Sequence, residues 1–478
     1  MGAVLHPFDV GPDAQPKRLL ALQRAAAELR PFPPREERAA DLDRLLRLVQ
    51  GRREAIADAI AVDFGGRSRR ETQGAEVMVV VQAIHHAKAN LRKWMRAERV
   101  SVPMHLLPAR CRIERQPKGV VGILSPWNYP VNLALCPLIA ALAAGNRAMI
   151  KPSEITPATS TLLKDLLAEI FPEEKVAVVL GGPDVGAAFC ELPFDHLLYT
   201  GSTSVGRKVL SAAANHLVPV TLELGGKSPV WVSDDYPLEH AAERVAFGKI
   251  LNAGQTCVAP DTVLVPEDRL DAFVEAYRGA VARMLPTLVA NPDWTSIVND
   301  RHRARLGAML EDAKTQGARV LEINPAGERF DPSRTRKMAP SVVIGATDTM
   351  SVLQDEIFGP ILPVVAVRGL DHAIQWVNER PRPLAMYLFD RDSTRVNEWM
   401  SRTAAGGVTV NDTLLHFAVE DLPFGGLGAS GMGAYHGETG FLAFSHRKSI
   451  FTQPRLNFSW LFNQPYGSTY DRIVAWLS

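Results

Sequence analysis

The residues of this chain best suited to covalent chemistry are a thiol, a carboxylate and an amide, each in a short and distinctive motif. Cys257 stands in Asn252-Ala253-Gly254-Gln255-Thr256-Cys257-Val258-Ala259-Pro260 and is one of only four cysteines. Glu223 opens Glu223-Leu224-Gly225-Gly226-Lys227-Ser228-Pro229, a Gly-Gly turn after an apolar run. Asn128 lies in Pro126-Trp127-Asn128-Tyr129-Pro130, at the end of a β-like stretch. A thiol attacks only as thiolate, and an unperturbed cysteine at neutral pH is a few per cent ionised at most, so its surroundings decide whether it reacts. Together the three side chains offer what chemistry at a carbonyl carbon needs: a nucleophile, a proton acceptor and a donor for the oxyanion. Taken singly, each has a plainer reading. A buried cysteine is more often a small inert hydrophobe, Asn128 fits a turn, and Glu223 fits a helix cap. Cys136 and Cys190 are read as such hydrophobes. Cys111, between Arg110 and Arg112, has no base in sight.

The elements that must hold these groups follow from apolar periodicity. Residues 16 to 98 read as helical: Leu19, Leu22, Ala26 and Leu29 share one face, then Leu42, Leu45, Leu46 and Val49, then a stripe from Val77 to Trp94. Val100 to Arg115, with Pro103 and Pro108, reads as an extended excursion with hairpin character. From 117 on, short apolar runs alternate with helical ones: Val120–Leu124, Arg147–Ile150, Val176–Leu180 and His196–Thr200. Continuous apolar strands between helices indicate an α/β fold, its parallel sheet covered on both faces. A second α/β stretch runs from about 228 to 420, with strands at Thr262–Val265, Ile361–Val367 and Gly407–Val410. A chain of 478 residues is too long for one ordinary core and is expected to form at least two domains.

Composition excludes several function classes. A net charge of +1 gives no electrostatic case for nucleic acid or an anionic membrane as partner. The short cluster Arg67-Ser68-Arg69-Arg70 reads as a solvated helix face. The cysteines form no C-x-x-C pair and no histidine follows at ligand spacing, which argues against a metal site or a disulfide scaffold and for a reducing compartment. Met1 to Pro7 shows no signal-peptide pattern, and the run from Leu133 to Ala144 is too short to span a bilayer. Phe458 to Ser478 is broken by Asn463, Gln464, Pro465, Asp471 and Arg472, so no membrane anchor is expected there. A cytoplasmic protein is expected.

Two segments are candidates for holding phosphate. Gly426-Leu427-Gly428-Ala429-Ser430-Gly431 matches G-x-G-x-x-G, but no strand precedes it, so a tight turn near the active site is the better reading. Gly201-Ser202-Thr203-Ser204-Val205-Gly206 directly follows a strand and opens a helix, where amides and hydroxyls can hold a pyrophosphate. A serine cap on a glycine turn explains that segment equally well. Lys151 and Glu154, at a strand end, stand where a doubly wound sheet reads an adenosine ribose. A carboxylate there repels a 2′-phosphate, so Glu154 points to NAD. The plainer reading of Lys151 and Glu154 is a surface salt bridge.

These motifs, with Lys151-Pro152-Ser153-Glu154, Gly201-Ser202-Thr203, Glu356-Ile357-Phe358-Gly359-Pro360 and Pro423-Phe424-Gly425-Gly426, occur in an order that resembles the aldehyde dehydrogenase superfamily. The resemblance covers roughly residues 16 to 455. Val410-Asn411-Asp412, Gly431-Met432-Gly433-Ala434-Tyr435-His436-Gly437 and Phe444-Ser445-His446 resemble its class 3 branch, and within it the bacterial coniferyl aldehyde dehydrogenases. The resemblance implies a Rossmann-like NAD(P)-binding domain (1–99 and 117–224) and a catalytic domain carrying the cysteine (225–420). It also implies a β bridging region that builds homodimers, with a C-terminal tail (100–116 and 446–478).

It further implies roles for individual residues. Cys257 attacks the aldehyde; the Asn128 amide and the Cys257 N–H hold the oxyanion; Glu223 activates the water that hydrolyses the thioester. Lys151 and Glu154 would meet the adenosine ribose, Ser202 the pyrophosphate and Glu356 the nicotinamide ribose, with Phe358 nearby. Trp127, Ser153, Gly201, Leu224 and Gly225 would line the same NAD site, with NADP as the alternative cofactor. The substrate pocket is expected near Tyr129, Trp231, His416 and Phe417, which suits an apolar, aromatic or medium-chain aldehyde. No arginine stands beside these residues to grip a second carboxylate. Two other activities remain open. A CoA-acylating enzyme has less need of Glu223, and a nicotinamide-independent thiol hydrolase or acyltransferase needs a histidine partner for the cysteine.

Overall fold

The computed structural model describes residues 11–478, so the reading of Met1 to Pro7 lies outside the described residues. Two sheets carry the architecture. The first has six strands in the order Gly431–Met432, Val220–Glu223, His196–Thr200, Val120–Leu124, Arg147–Lys151, Val176–Val178. All its pairings are parallel except that of the edge strand Gly431–Met432. The order runs one way from Val120–Leu124 through 147 and 176, and the other way through 196 and 220. Ligands of doubly wound sheets bind at such a switch point, outside the carboxyl ends of the strands. Those ends lead here into Ser125 to Asn128, Lys151, Gly201–Ser202 and Glu223, so the candidate residues share one edge of the sheet.

The second sheet has seven strands in the order Arg319–Glu322, Ser341–Ile344, Ile361–Val367, Thr262–Pro266, Pro229–Val232, Ala385–Phe389, Gly407–Val410. It is parallel apart from Arg319–Glu322. Cys257 lies in the connection between the helix Leu238–Ile250 and the strand Thr262–Pro266. Both interior strand sets are buried over most of their length, as strands with helices on both faces must be.

The N-terminal helices Arg35–Gly51 and Val79–Trp94 pack with Asn132–Ala144 in the main core. The excursion at 100–115 is part of a third, three-stranded sheet. There Glu98–Val100 and Ser445–Thr452 flank Arg110–Pro117, both antiparallel. The strand Gly431–Met432 had no counterpart in the sequence reading, because two residues carry no periodicity. Among the described residues no helix is long and apolar enough to cross a membrane.

Candidate active site

The loop that presents Cys257 is held in an unusual backbone conformation. Asn252, Ala253 and Gly254 have φ of 51°, 52° and 74°, three consecutive residues in the left-handed region. For the two with side chains this costs of order 1–3 kcal/mol each, and such strain persists only where the surroundings enforce it. Glu71 accepts from the Asn252 N–H. The Asn252 side-chain amide donates to the carbonyls of Asn128 (3.0 Å) and Gln255 (3.1 Å). Gln255 in turn is tied to Asn252, Ser296 and Val298. A Cβ at Gly254 would overlap the carbonyl of Gly359, so glycine alone fits there. Tyr387 donates its hydroxyl to the carbonyl of Val258.

Asn128 meets this loop directly. Its side-chain amide donates one N–H to the carbonyl of Gln255 at 3.2 Å. A primary amide has two N–H groups, so a second is left for a ligand. Glu223 ends the strand Val220–Glu223, between Thr200 and Gly431, and is 1% exposed. Neither of its carboxyl oxygens has a protein partner. Burial holds the carboxyl well above the usual carboxylate range. The Cys257 thiol is pushed up to about 12, first by burial and then by the negative charges of Glu356 and Glu223. Among the described residues that line the cavity beside Cys257 there is no histidine of the kind a thiol hydrolase pairs with its cysteine.

These shifts predict the pH dependence of alkylation. Carboxamidomethylation of Cys257 by iodoacetamide, followed on its peptide by mass spectrometry, should rise about tenfold per pH unit between pH 7 and 9. A flat profile would mean that the thiolate is already formed.

The remaining candidates line the strand edge of the first sheet. Lys151 is buried and pairs with the more exposed Glu154 at 3.1 Å. Ser153 accepts from the Ile155 N–H at 3.2 Å. Ser202 caps the helix Thr203–Ala214, accepting from Val205 N–H at 3.4 Å. Gly201 leaves room for the Tyr199 ring, and Gly206 lets that helix approach Leu224 closely. Across the cleft, Phe358 has φ 51°, and its ring stands edge-on to Trp127 at 5.3 Å. Glu356 is half-buried, with Oε1 lacking a partner and a pKa raised to about 8 by burial and then by Asp261. A Cβ on Gly225 would overlap its carboxylate. An orphan acceptor in a glycine cradle, beside a capped helix start and a buried lysine, fits a group with ribose hydroxyls and a pyrophosphate.

Beside Cys257 opens a cavity of about 360 Å³. Its walls are almost wholly apolar and include Met78, Tyr129, Leu133, Phe247, Leu415 and Phe417. Two expected pocket residues are not among them. Trp231 lies in the centre of the second sheet, 1% exposed and paired with Leu388 and Leu264. Both faces of a central parallel strand are covered, which makes that side chain core. His416 is turned toward Thr409, at 2.8 Å, and stacks on Phe424.

The basic cluster at 67–70 also departs from the expectation. Arg67 is buried on Glu76 at 3.1 Å, and only Arg69 and Arg70 are solvated. Arg70 does line the cavity, where no arginine was expected, but Asp293 holds it at 2.6 Å. The turn Gly426–Gly431 packs on the Glu223 strand, with Leu224 N–H donating to the Ser430 carbonyl at 3.1 Å.

Sequence reasoning missed the groups that brace the site. Arg305 donates to the carbonyls of Glu356 and Ile357, while Lys227 and Asp261 clamp the same loop. Lys227, inside the Glu223 motif, was the one visible signal.

Comparison with known proteins places the chain. A family profile described as the aldehyde dehydrogenase family matches residues 14–450. The coniferyl aldehyde dehydrogenase of a Pseudomonas species is 47% identical over 442 residues, covering 92% of this chain and 91% of that protein. The substrate-bound state of Staphylococcus aureus AldH superposes with a TM-score of 0.91 at 36% identity, covering 97% of this chain and 99% of the other. Betaine aldehyde dehydrogenase of S. aureus in complex with NAD+ gives a TM-score of 0.84 at 26% identity, covering 94% and 89%. The chain belongs to the aldehyde dehydrogenase family.

Proposed function

We propose that this protein oxidises apolar aldehydes of aromatic (coniferyl) or medium-chain type to carboxylic acids, with NAD as hydride acceptor and NADP as the alternative. The observation that carries this is the placement of Cys257 in the wall of an apolar cavity, next to an amide with a spare N–H and near an unpartnered buried carboxyl. The name of the Pseudomonas relative supports the aromatic substrate, and the NAD+ bound by the S. aureus neighbour supports the cofactor.

In this reading Cys257 Sγ adds to the aldehyde carbon, and the oxyanion is received by the free Asn128 N–H and the Cys257 N–H. The bound nicotinamide supplies a hydride acceptor. The thioester left on Cys257 is hydrolysed by a water whose proton passes to Glu223. Glu356 and Gly225 would hold the nicotinamide ribose, Ser202 and Gly201 the pyrophosphate, and Lys151, Ser153 and Glu154 the adenosine end. Leu224, Trp127 and Phe358 close the cleft.

The cavity walls predict the specificity. In a screen of NAD(P)H formation, coniferyl, benzyl and medium-chain aldehydes should exceed short semialdehydes in kcat/KM by about tenfold or more, the worth of a few buried methylenes. Addition of CoA should change nothing. A preference for semialdehydes, or a requirement for CoA, would overturn the assignment.

A further inference from the structure

The segment from Arg67 to Met78 does more than border the cavity. It enters through Gly65 and Gly66, both at positive φ, forms a four-residue helix Arg69–Thr72 capped by Ser68, and continues as a π-turn, Gln73–Met78. π-turns are rare and are frequently found at functional sites. Inside this segment Arg67 and Glu76 form an ion pair at 3.1 Å with both side chains fully buried. Arg67 Nη1 also donates to the backbone carbonyl of Asn128 at 2.9 Å. Glu76 Oε2 accepts from the N–H groups of Val131 (3.1 Å) and Asn132 (2.7 Å). One ion pair therefore fastens the Asn128 loop at three backbone points.

The same segment reaches the cysteine loop. Glu71 accepts from the N–H of Asn252 and from Thr295 Oγ1 at 2.6 Å. Asn252 bridges the two loops through the Asn128 and Gln255 carbonyls. The guanidinium of Arg67 lies 4.7 Å from the centre of the Tyr129 ring and 5.2 Å from that of Phe64. Buried ion pairs are poor sources of stability, because desolvation offsets their attraction; what they can supply is a unique arrangement.

We infer that Arg67, Glu71 and Glu76 are positioning residues that set the Asn128 amide and the Cys257 loop at their working separation. None of the three is assigned a step in the chemistry. Arg67 and Glu76 act through Asn128, and Glu71 acts through Asn252. The inference rests on the catalytic reading of Asn128 and Cys257 given above.

The test is a double-mutant cycle in the full-length enzyme. Arg67→Lys keeps the charge, but its side chain is one atom shorter and ends short of the Nη1 position from which Arg67 serves both Glu76 and the Asn128 carbonyl. It should lower kcat about 10²-fold, as a misplacement of the order of 1 Å does, with the Kd for NADH unchanged within about twofold. In an Asn128→Ala background the amide to be placed is gone, so the same change should cost less than about threefold. Glu76→Gln, run in parallel, should behave alike and serves if Arg67→Lys does not fold.

Three results would each overturn the clamp: a kcat within twofold of wild type for the single variants, an undiminished loss in the Asn128→Ala background, or NADH binding lost in step with kcat. Cys257→Ala separates the two levels. If that variant still oxidises aldehydes the catalytic reading itself falls, whereas an inactive Cys257→Ala beside an additive cycle sinks only the clamp.

Discussion

Cys257→Ala should lower aldehyde-dependent NAD(P)H formation by about 10⁴-fold or more, the scale on which nucleophile deletions act, while NADH binds as before. The selectivity follows from where the parts lie. The groups proposed to hold the cofactor belong to the strand ends of the first sheet and to the Glu356 loop, whereas Cys257 projects from a separate loop braced by Asn252, Gln255 and Tyr387. The thiols at Cys136 and Cys190 cannot substitute, because neither belongs to the cavity that Cys257 lines. Stopped-flow fluorescence for NADH binding and absorbance for turnover separate the two effects. Turnover above a hundredth of wild type would remove Cys257 from its role.

Glu223→Gln should separate acylation from deacylation. Glutamine keeps the volume of a side chain packed in the core but cannot take a proton. A burst of one NAD(P)H per site is expected, followed by a steady state slower by about 10²–10⁴-fold, the usual worth of a general base. The wild-type steady-state rate should rise with pH, because burial holds the Glu223 carboxyl well above its ordinary range and only the ionised form accepts the proton. In Glu223→Gln that limb should vanish from the deacylation rate. An unchanged steady-state rate, or a missing burst, would assign the base to another group.

The candidate residues were more legible in the sequence than the groups that support them. Cys257, Asn128 and Glu223 sit in short motifs whose composition is peculiar enough to be noticed one at a time. Strand ends at Lys151, Thr200 and Glu223 followed from apolar runs that end sharply. Arg67 was misread because a basic cluster is usually solvated, and its partner Glu76 immediately precedes the apolar stripe, where a carboxylate looks like surface. Glu71 reaches Asn252 across most of the N-terminal half, a pairing without local signature. Trp231 failed for the opposite reason. An aromatic near the cysteine in sequence resembles a pocket wall, yet strand pairing on both sides places it in the core. The left-handed run at Asn252 and Ala253 was invisible too, since neither residue demands that conformation.

The two-residue strand Gly431–Met432 bears on how the protein is made. It closes the edge of the Glu223 strand, and Ser445–Thr452 covers the free side of Arg110–Pro117. Both late segments complete sheets begun more than two hundred residues earlier. During synthesis those edges stay unpaired until Gly431–Met432 and Ser445–Thr452 have left the ribosome, and bare edges invite pairing with other chains. The edge strand beside Glu223 is thus the last part of the first sheet to be synthesised. A chain cut before Gly431 would hold Cys257 and Glu223 but leave the edge of the Glu223 strand unpaired.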